Sequence, residues 1–430
     1  MRNKYSGYST TNSTYGNFYG DLKKKVEKDQ ENQRRQSEQN NNWPTNYSNN
    51  YHNNNTYNNN NYGYNNNYGY NNNTQKNIKR EKTPILSDST IVGSISSSLT
   101  GLMNLGNTCY INTCLQNLIH CTPFICKFLE VSNQILQNKI SGAPISSAFY
   151  ELLIHIYENN NQEDYINPSG FVEKITSLHK QFYGNQEHDT QEFCRFLLQD
   201  FNFELNEVKN PSTYKKELAN RGNKRQIFYD YKQDCFTKEK SIITDLFIGF
   251  FSFEYICECG YKEYSFSQFL DLPVQMNSGI HGFDLFQMLQ DNFYRKSKVD
   301  MGENCVSCRR TSKKSEVMRI ASLPEILIIS LQRINPRDGK KNESPVKFYE
   351  NLNLRDIIDA DLADASKTNY NLFAVTNHIG QISTGHYFSY IKIGKNWYCF
   401  EDSKVHKVGY QIDMSSKEVY TLFYLRSNYY

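Results

Sequence analysis

Two residues far apart in the chain have the types and settings that covalent chemistry needs. Cys109 precedes Ile111, Leu115, Leu118 and Ile119, which follow the three-to-four spacing of an amphipathic helix, with Thr108 as candidate N-cap. A thiol at that end of a helix has its pKa lowered by the helix dipole, and the thiolate is the attacking species. Position alone is weak support, because a cysteine heading an apolar helix is more often a small core residue. Cys114, Cys121 and Cys194 read that way. Cys109 differs in what precedes it: Asn104-Leu105-Gly106-Asn107-Thr108 offers the amide of Asn104 and backbone N–H groups that can surround an oxyanion. A thiolate nucleophile also needs a base, and the base needs a third group to fix its tautomer. His386 opens an alternating run to Ile393, and a hairpin turn at Gly394-Lys395 returns the chain to Glu401-Asp402-Ser403 opposite it. With residues 394 and 395 opposed, Glu401 shares the face of His386, whereas a shift of one puts Asp402 there. Periodicity leaves both acids open. Of the nine histidines, His52 lies in a polar arm, and His120, His155, His179 and His281 lack such a context.

The elements that must position these residues can be read from the same patterns. A second helix follows Asp189, with Phe193, Leu197 and Phe201 on one face and Glu192 completing a capping-box pattern. Strands dominate later: Pro324 precedes Ile326-Leu327-Ile328-Ile329, and Gly394 marks the turn into Trp397-Tyr398-Cys399-Phe400. Helices first and strands afterwards predict an α+β domain over residues 99–427. Glu207 to Lys240, rich in Lys, Asn and Asp, reads as a surface insertion. Residues 1–98 read as a disordered arm, since their polar tracts cannot bury enough apolar surface to offset chain entropy. Its stretch from Asn41 to Asn73 is nearly all Asn and Tyr, a composition associated with self-association. Asp21 to Gln36 is a candidate solvated helix, and Lys76-Asn77-Ile78-Lys79-Arg80 a short basic cluster in a linker.

Composition narrows the function classes. Across 430 residues, 48 basic and 45 acidic side chains leave a formal charge of +3, which argues against nucleic acid or an anionic membrane as the main partner. The polar start and the lack of a long apolar stretch predict a soluble intracellular protein, cytoplasmic or nuclear. Eleven cysteines, sparse and odd in number, predict reduced thiols, metal ligands or a nucleophile rather than a disulfide scaffold.

Gly101-Leu102-Met103-Asn104-Leu105-Gly106-Asn107-Thr108-Cys109-Tyr110-Ile111-Asn112 closely resembles the cysteine box of the ubiquitin-specific proteases. Tyr370-Asn371-Leu372, His378, Gly385-His386-Tyr387 and Trp397-Tyr398-Cys399-Phe400 with its acidic pair resemble their histidine box. Glu187-His188-Asp189-Thr190-Gln191-Glu192-Phe193 is similar to the central helix motif, and Leu323-Pro324-Glu325-Ile326-Leu327 with Leu331-Gln332-Arg333 to the central strand. The resemblance spans about Leu99 to Arg426. It implies a papain-like thumb and palm with a β-rich fingers insertion at about 245–325, cleaving after the C-terminal Gly-Gly of ubiquitin.

By that resemblance Cys109 is the nucleophile, His386 the base and Asn104 the oxyanion donor, while Asp189, His378, Gly385 and Tyr387 line the channel for the ubiquitin tail. Asp189 has a purely structural reading as a helix cap as well. The third triad position, usually Asp or Asn, holds Glu401 here, followed by Asp402. No catalytic cofactor is implied. Fingers of this family often bind zinc through two Cys-x-x-Cys pairs; here Cys305-Val306-Ser307-Cys308 keeps that spacing and Cys257-Glu258-Cys259 is one residue short. A structural zinc is expected, with a metal-free degenerate finger as the alternative. Two rival functions stand beside the protease reading: a ubiquitin-binding pseudoenzyme in which Glu401 spoils the triad, or a scaffold acting through the Asn/Tyr arm with a vestigial domain.

Overall fold

The computed structural model describes residues 89–136, 142–184, 186–209, 220–276, 283–335, 339–381 and 384–427. Two compact units divide the chain, Met1–Thr83 and Pro84–Tyr430, and every described residue lies in the second. The Asn/Tyr-rich stretch, the charged stretch from Asp21 and the basic cluster at Lys76 lie outside the described residues, as does His281.

The first half is helical: α1 (Ser89–Ser96), α2 (Cys109–Ile119), α3 (Thr122–Leu136), α4 (Pro144–Asn159), α5 (Ser169–Leu178) and α6 (Thr190–Glu204). Every residue of α2 is buried, because α6 packs on one side of it and a strand of the main sheet on another. Its polar side chains therefore need partners: Gln116 donates to the Thr100 carbonyl at 3.0 Å and Asn117 to the Thr376 hydroxyl at 2.8 Å. Phe193, Leu197 and Phe201 of α6 are fully buried, as the spacing predicts. Phe128 meets Phe149 edge-on at 5.0 Å, and Phe124, Phe201 and Phe247 complete an aromatic cluster that ties α3, α4 and α6 together. The folded unit starts earlier than residue 99: Ile91, Val92 and Ile95 of α1 are buried in the same core. The helix is too short and too small-residue-rich to stand out from the polar arm, and its three apolar residues acquire meaning only through what they pack on.

The main sheet combines β5 (Leu272–Gln275), β9 (Ile326–Gln332), β12 (Asn369–Gln381), β13 (Thr384–Ile393), β14 (Asn396–Glu401), β15 (Lys404–Gly409) and β17 (Val419–Arg426) in the order β15-β14-β13-β12-β17-β9-β5, with β11 (Asn351–Asn353) paired to β12. All pairs are antiparallel except β5 with β9. The β-branched run of β9 is buried on both faces, which explains why it reads as continuous rather than alternating. A separate antiparallel sheet, in the order β4-β3-β8-β7, is built from β3 (Gly249–Ile256), β4 (Lys262–Phe269), β7 (Arg295–Asn304) and β8 (Thr311–Ser322). Three two-residue strands, β6 (Phe283–Asp284), β10 (Val346–Lys347) and β16 (Ser415–Ser416), pair among themselves.

Within the segment Glu207 to Lys240, read as surface insertion, the structure contains α7 (Lys224–Phe236), whose Phe228 ring lies 5.0 Å from Phe266 and 5.7 Å from Phe250. Short helices α8 (Ile242–Leu246) and α9 (Leu285–Phe293) complete the α-helices among the described residues. Helical lobe, main sheet and the separate sheet match the α+β thumb, palm and fingers that the resemblance implies.

One contact joins the two ends of the domain. β1 (Gly101–Leu102), paired in parallel with β2 (Tyr165–Ile166), runs beside the turn after β14, and the Leu102 N–H donates to the Asp402 carbonyl at 2.8 Å. A Cβ at Gly101 would stand 2.6 Å from the Ser403 backbone, so only glycine permits this approach. The chain just before Cys109 is thereby held against the acidic pair nearly three hundred residues later.

Candidate active site

Cys109 is the first residue of α2, buried, with the backbone N–H of Tyr387 placed to favour its thiolate. Burial raises its thiol pKa, the charges of Asp402 and Glu187 add to the rise, and the N–H groups of Tyr387 and Tyr110 oppose it. This corrects the expectation of a lowered pKa: the helix end supplies N–H groups, and desolvation outweighs them. Thr108 does not cap α2 with its side chain; its hydroxyl accepts from the Leu105 N–H at 2.9 Å instead, folding the preceding loop. Asn104 is fixed at both ends of its amide. Its oxygen accepts from the N–H groups of Gly106 (3.0 Å) and Thr108 (3.2 Å), and its nitrogen donates to Asp402 Oδ2 at 2.8 Å.

His386 stands on β13, next in the chain to Tyr387. The β13–β14 hairpin pairs Ile393 with Asn396 and Ser389 with Phe400, which is the register with 394 and 395 opposed. His386 Nε2 accordingly lies 3.4 Å from Glu401 Oε1. Asp402, in a left-handed conformation at φ 50°, turns the other way and binds Asn104 with one oxygen and the Asn112 amide with the second, at 2.8 Å each. The two acids thus have different partners rather than competing for one.

Asp189 caps α6, accepting from the Gln191 N–H at 2.7 Å, and its other oxygen accepts from the Tyr420 hydroxyl. Burial raises its pKa. Tyr387 stacks on His378, ring centroids 4.4 Å apart, and meets Tyr420 at 5.6 Å. Burial, followed by the charges of Lys341, His386 and Arg333, pushes the His378 pKa down to about 4. A Cβ at Gly385 would fall 2.0 Å from His378 Nε2, so glycine is required where this ring closes over β13. Asp189, His378, Gly385 and Tyr387 are thus joined, with Tyr420, in one network that reaches Cys109 through Tyr387.

Three residues at the site go unassigned in the sequence reading. Glu187 accepts from the Gly385 N–H at 2.8 Å, Tyr420 holds Asp189, and Asn112 shares Asp402 with Asn104. Glu187 and Asn112 stand inside recognised motifs, and Asn112 follows Cys109 by three, on the same helix face; Tyr420 carries no local signal.

Away from this site, the sulfurs of Cys257, Cys259, Cys305 and Cys308 lie within 4.8 Å of one another, with Cys257–Cys308 at 3.8 Å and Cys259–Cys305 at 3.7 Å. Four thiolates about 2.3 Å from a tetrahedral zinc are separated by roughly 3.8 Å, so the cluster fits a structural zinc site. The short Cys-x-Cys pair does not spoil it, because each of its sulfurs faces one from the other hairpin. Left-handed Gly260 (φ 84°) and Arg309 (φ 58°) make the two tight turns.

Among the described residues no helix is long and apolar enough to cross a membrane. The family model "Ubiquitin carboxyl-terminal hydrolase" matches residues 100–424. The chain is 30% identical over 345 residues to ubiquitin carboxyl-terminal hydrolase 2 of Gallus gallus, covering 77% of this chain and 94% of that protein. It is 29% identical over 348 residues to a probable ubiquitin carboxyl-terminal hydrolase 4 of Schizosaccharomyces pombe, covering 76% of this chain and 58% of that one. For several relatives the match thus spans little more than half their length. In three dimensions it is similar to the SAGA Ubp8/Sgf11/Sus1/Sgf73 DUB module bound to ubiquitin aldehyde, with a TM-score of 0.59, 20% identity, and coverage of 77% of this chain and 70% of that one. With this fold, and with the family model matching across both the cysteine-bearing and histidine-bearing lobes, the chain belongs to the ubiquitin carboxyl-terminal hydrolase family.

Proposed function

We propose that the chain is a thiol-dependent deubiquitinating hydrolase, cleaving the isopeptide or peptide bond after the C-terminal Gly-Gly of ubiquitin, in the cytoplasm or nucleus. The observation that carries the reading is the set of contacts around Cys109: a helix-leading thiol under the Tyr387 N–H, with His386 next in the chain to Tyr387 and its Nε2 3.4 Å from Glu401 Oε1. In this mechanism His386 takes the Cys109 proton and the sulfur attacks the carbonyl carbon of the terminal glycine. The oxyanion accepts from the second N–H of the Asn104 amide, whose first is held by Asp402, and from backbone N–H at the start of α2. His386 then returns the proton to the leaving amine. Water, deprotonated by His386, attacks the thioester and releases ubiquitin, with Cys109 protonated again. Glu401 orients the imidazole throughout and Asp402 orients the donor.

Asp189, His378, Gly385 and Tyr387 form the channel for the Gly-Gly tail in this reading. The contact distances to His378 leave no room for a side chain at Gly385, and a channel so walled suits glycines. The four-cysteine cluster gives the finger sheet a structural anchor when metal is bound, and no chemical step involves it.

A catalytically impaired ubiquitin-binding protein is the second reading. The raised Cys109 pKa and the 3.4 Å gap from His386 to Glu401, long for a hydrogen bond, favour it. The two are separated by treating the full chain with an electrophilic ubiquitin probe and by following hydrolysis of a fluorogenic ubiquitin conjugate. Labelling at Cys109, with turnover abolished in Cys109→Ala and ubiquitin binding retained, is expected. Binding without labelling or turnover would establish the impaired form.

A further inference from the structure

α7, the start of β3, the β8–β9 connection and segment 362–367 meet around a cavity of about 370 Å³. That size is within the range that holds small organic ligands. None of the residues grouped around Cys109 lines it. Its lining is of two chemical kinds. Phe228, Phe236 and Phe250 supply aromatic surface, while Lys232, Lys367 and Arg426 supply positive charge. Lys232 Nζ lies 5.7 Å from the centre of the Phe236 ring and 5.5 Å from that of Phe250, so its ammonium is backed by aromatic faces.

The acids in the lining have partners of their own, and Asp364 also feels the charges of Lys367 and Arg426. Glu325 is ion-paired with Arg426, Asp364 accepts from the Ser366 N–H (2.9 Å) and hydroxyl (2.7 Å), and Asp245 faces Lys127 at 3.9 Å. Among the described residues neither Lys232 nor Lys367 has an acid within ion-pairing distance. The charges that act most on Lys232 are those of Lys367 and Arg426, and with burial they lower its pKa. A partly desolvated ammonium such as Lys232 facing other cations is unfavourable, and an anion beside it would relieve both the desolvation and the repulsion.

We propose that this cavity binds a small amphiphilic anion: an apolar or aromatic body against Phe228 and Phe250, and one carboxylate or phosphate head between Lys232 and Lys367. The size of the cavity and the backing of Lys232, which among the described residues has no acid within ion-pairing distance, by aromatic rings set both halves of that description.

Calorimetric titration of the full chain at low ionic strength tests it, using 3-phenylpropionate, phenyl phosphate and the neutral 3-phenylpropanamide as probes. One saturable site per chain is expected for at least one anion, and comparing the two identifies the preferred head. The amide should bind at least about tenfold more weakly, and Lys232→Met, which keeps the bulk and removes the charge, should weaken the anion by a similar factor. If Lys232→Met does not fold, Lys367→Ala, on an exposed turn, serves the same comparison. Absence of saturable binding at millimolar probe, equal affinity for the amide, or unchanged affinity in a folded lysine variant would each overturn the proposal.

Discussion

Glu401 and Asp402 are adjacent in the chain, yet a single left-handed residue sends their carboxylates to opposite partners. Both are therefore expected to matter, for different reasons. Glu401→Ala should lower turnover and alter its dependence on pH, since the base loses its orienting charge. Asp402→Ala should lower turnover by roughly a hundredfold, the usual effect of losing one oxyanion donor, because Asn104 and Asn112 both lose their anchor. A double-mutant cycle distinguishes these roles: Asn104→Ala combined with Asp402→Ala should cost little more than either alone, whereas Asn104→Ala and Glu401→Ala should be closer to additive. Additivity of the first pair would remove Asp402 from donor positioning. Glu187 supports a separate expectation. Its charge raises the Cys109 pKa, so Glu187→Gln should move the pH profile of Cys109 alkylation by iodoacetamide to lower pH. An unchanged or upward-moving profile would mean that the Glu187 contact to Gly385 is structural only.

At the scale of elements, the finger sheet and the first helix carry the clearest consequences. The cysteine cluster predicts about one zinc per chain, measured by elemental analysis of protein purified without chelator. Cys305→Ser should lose the metal together with finger stability, because binding free energy at such a site is also folding free energy. Metal-free protein with an unchanged melting curve would contradict it. α1 marks where truncation begins to hurt. Burying Ile91, Val92 and Ile95 is worth about 1.5–3 kcal/mol each, so a chain lacking residues 1–98 should be less stable than one lacking 1–88 by roughly 5 kcal/mol or more. Equal denaturant midpoints for the two would show α1 to be dispensable.

For the whole molecule, acid sensitivity follows from its buried imidazoles. His378 has a folded pKa of about 4 against about 6.5 in an unfolded chain, and His120 shifts the same way by burial. The unfolded state thus binds more protons over that interval, and stability should fall as pH drops from about 6.5 toward 4, by up to roughly 3 kcal/mol from His378. Above that interval His378 is neutral in both states and its contribution is constant. Denaturation midpoints measured across the interval for the parent and His378→Gln should converge as the pH falls; parallel curves would place the acid sensitivity elsewhere.

Much of this molecule is legible in its residues taken in order. The helix led by Cys109, the helix after Asp189, the buried run at Ile326 and the hairpin at Gly394 are local patterns, and hydrophobic period and turn chemistry are local properties. Even the partner of His386 is one of two readings, since hairpin register is fixed within one residue of its turn. Other features depend on what meets what across hundreds of residues. The direction of the Cys109 pKa depends on how deeply α2 is buried and on two distant carboxylates. The role of Asp402 depends on β1 passing close enough for Gly101 to touch the turn, and that of Tyr420 on β17 beginning beside Asp189 at the head of α6. The four thiols converge only because two hairpins of one sheet bring their tips together. Burial, electrostatic potential and long-range hydrogen bonds are properties of the packed chain, and no window of sequence contains both partners.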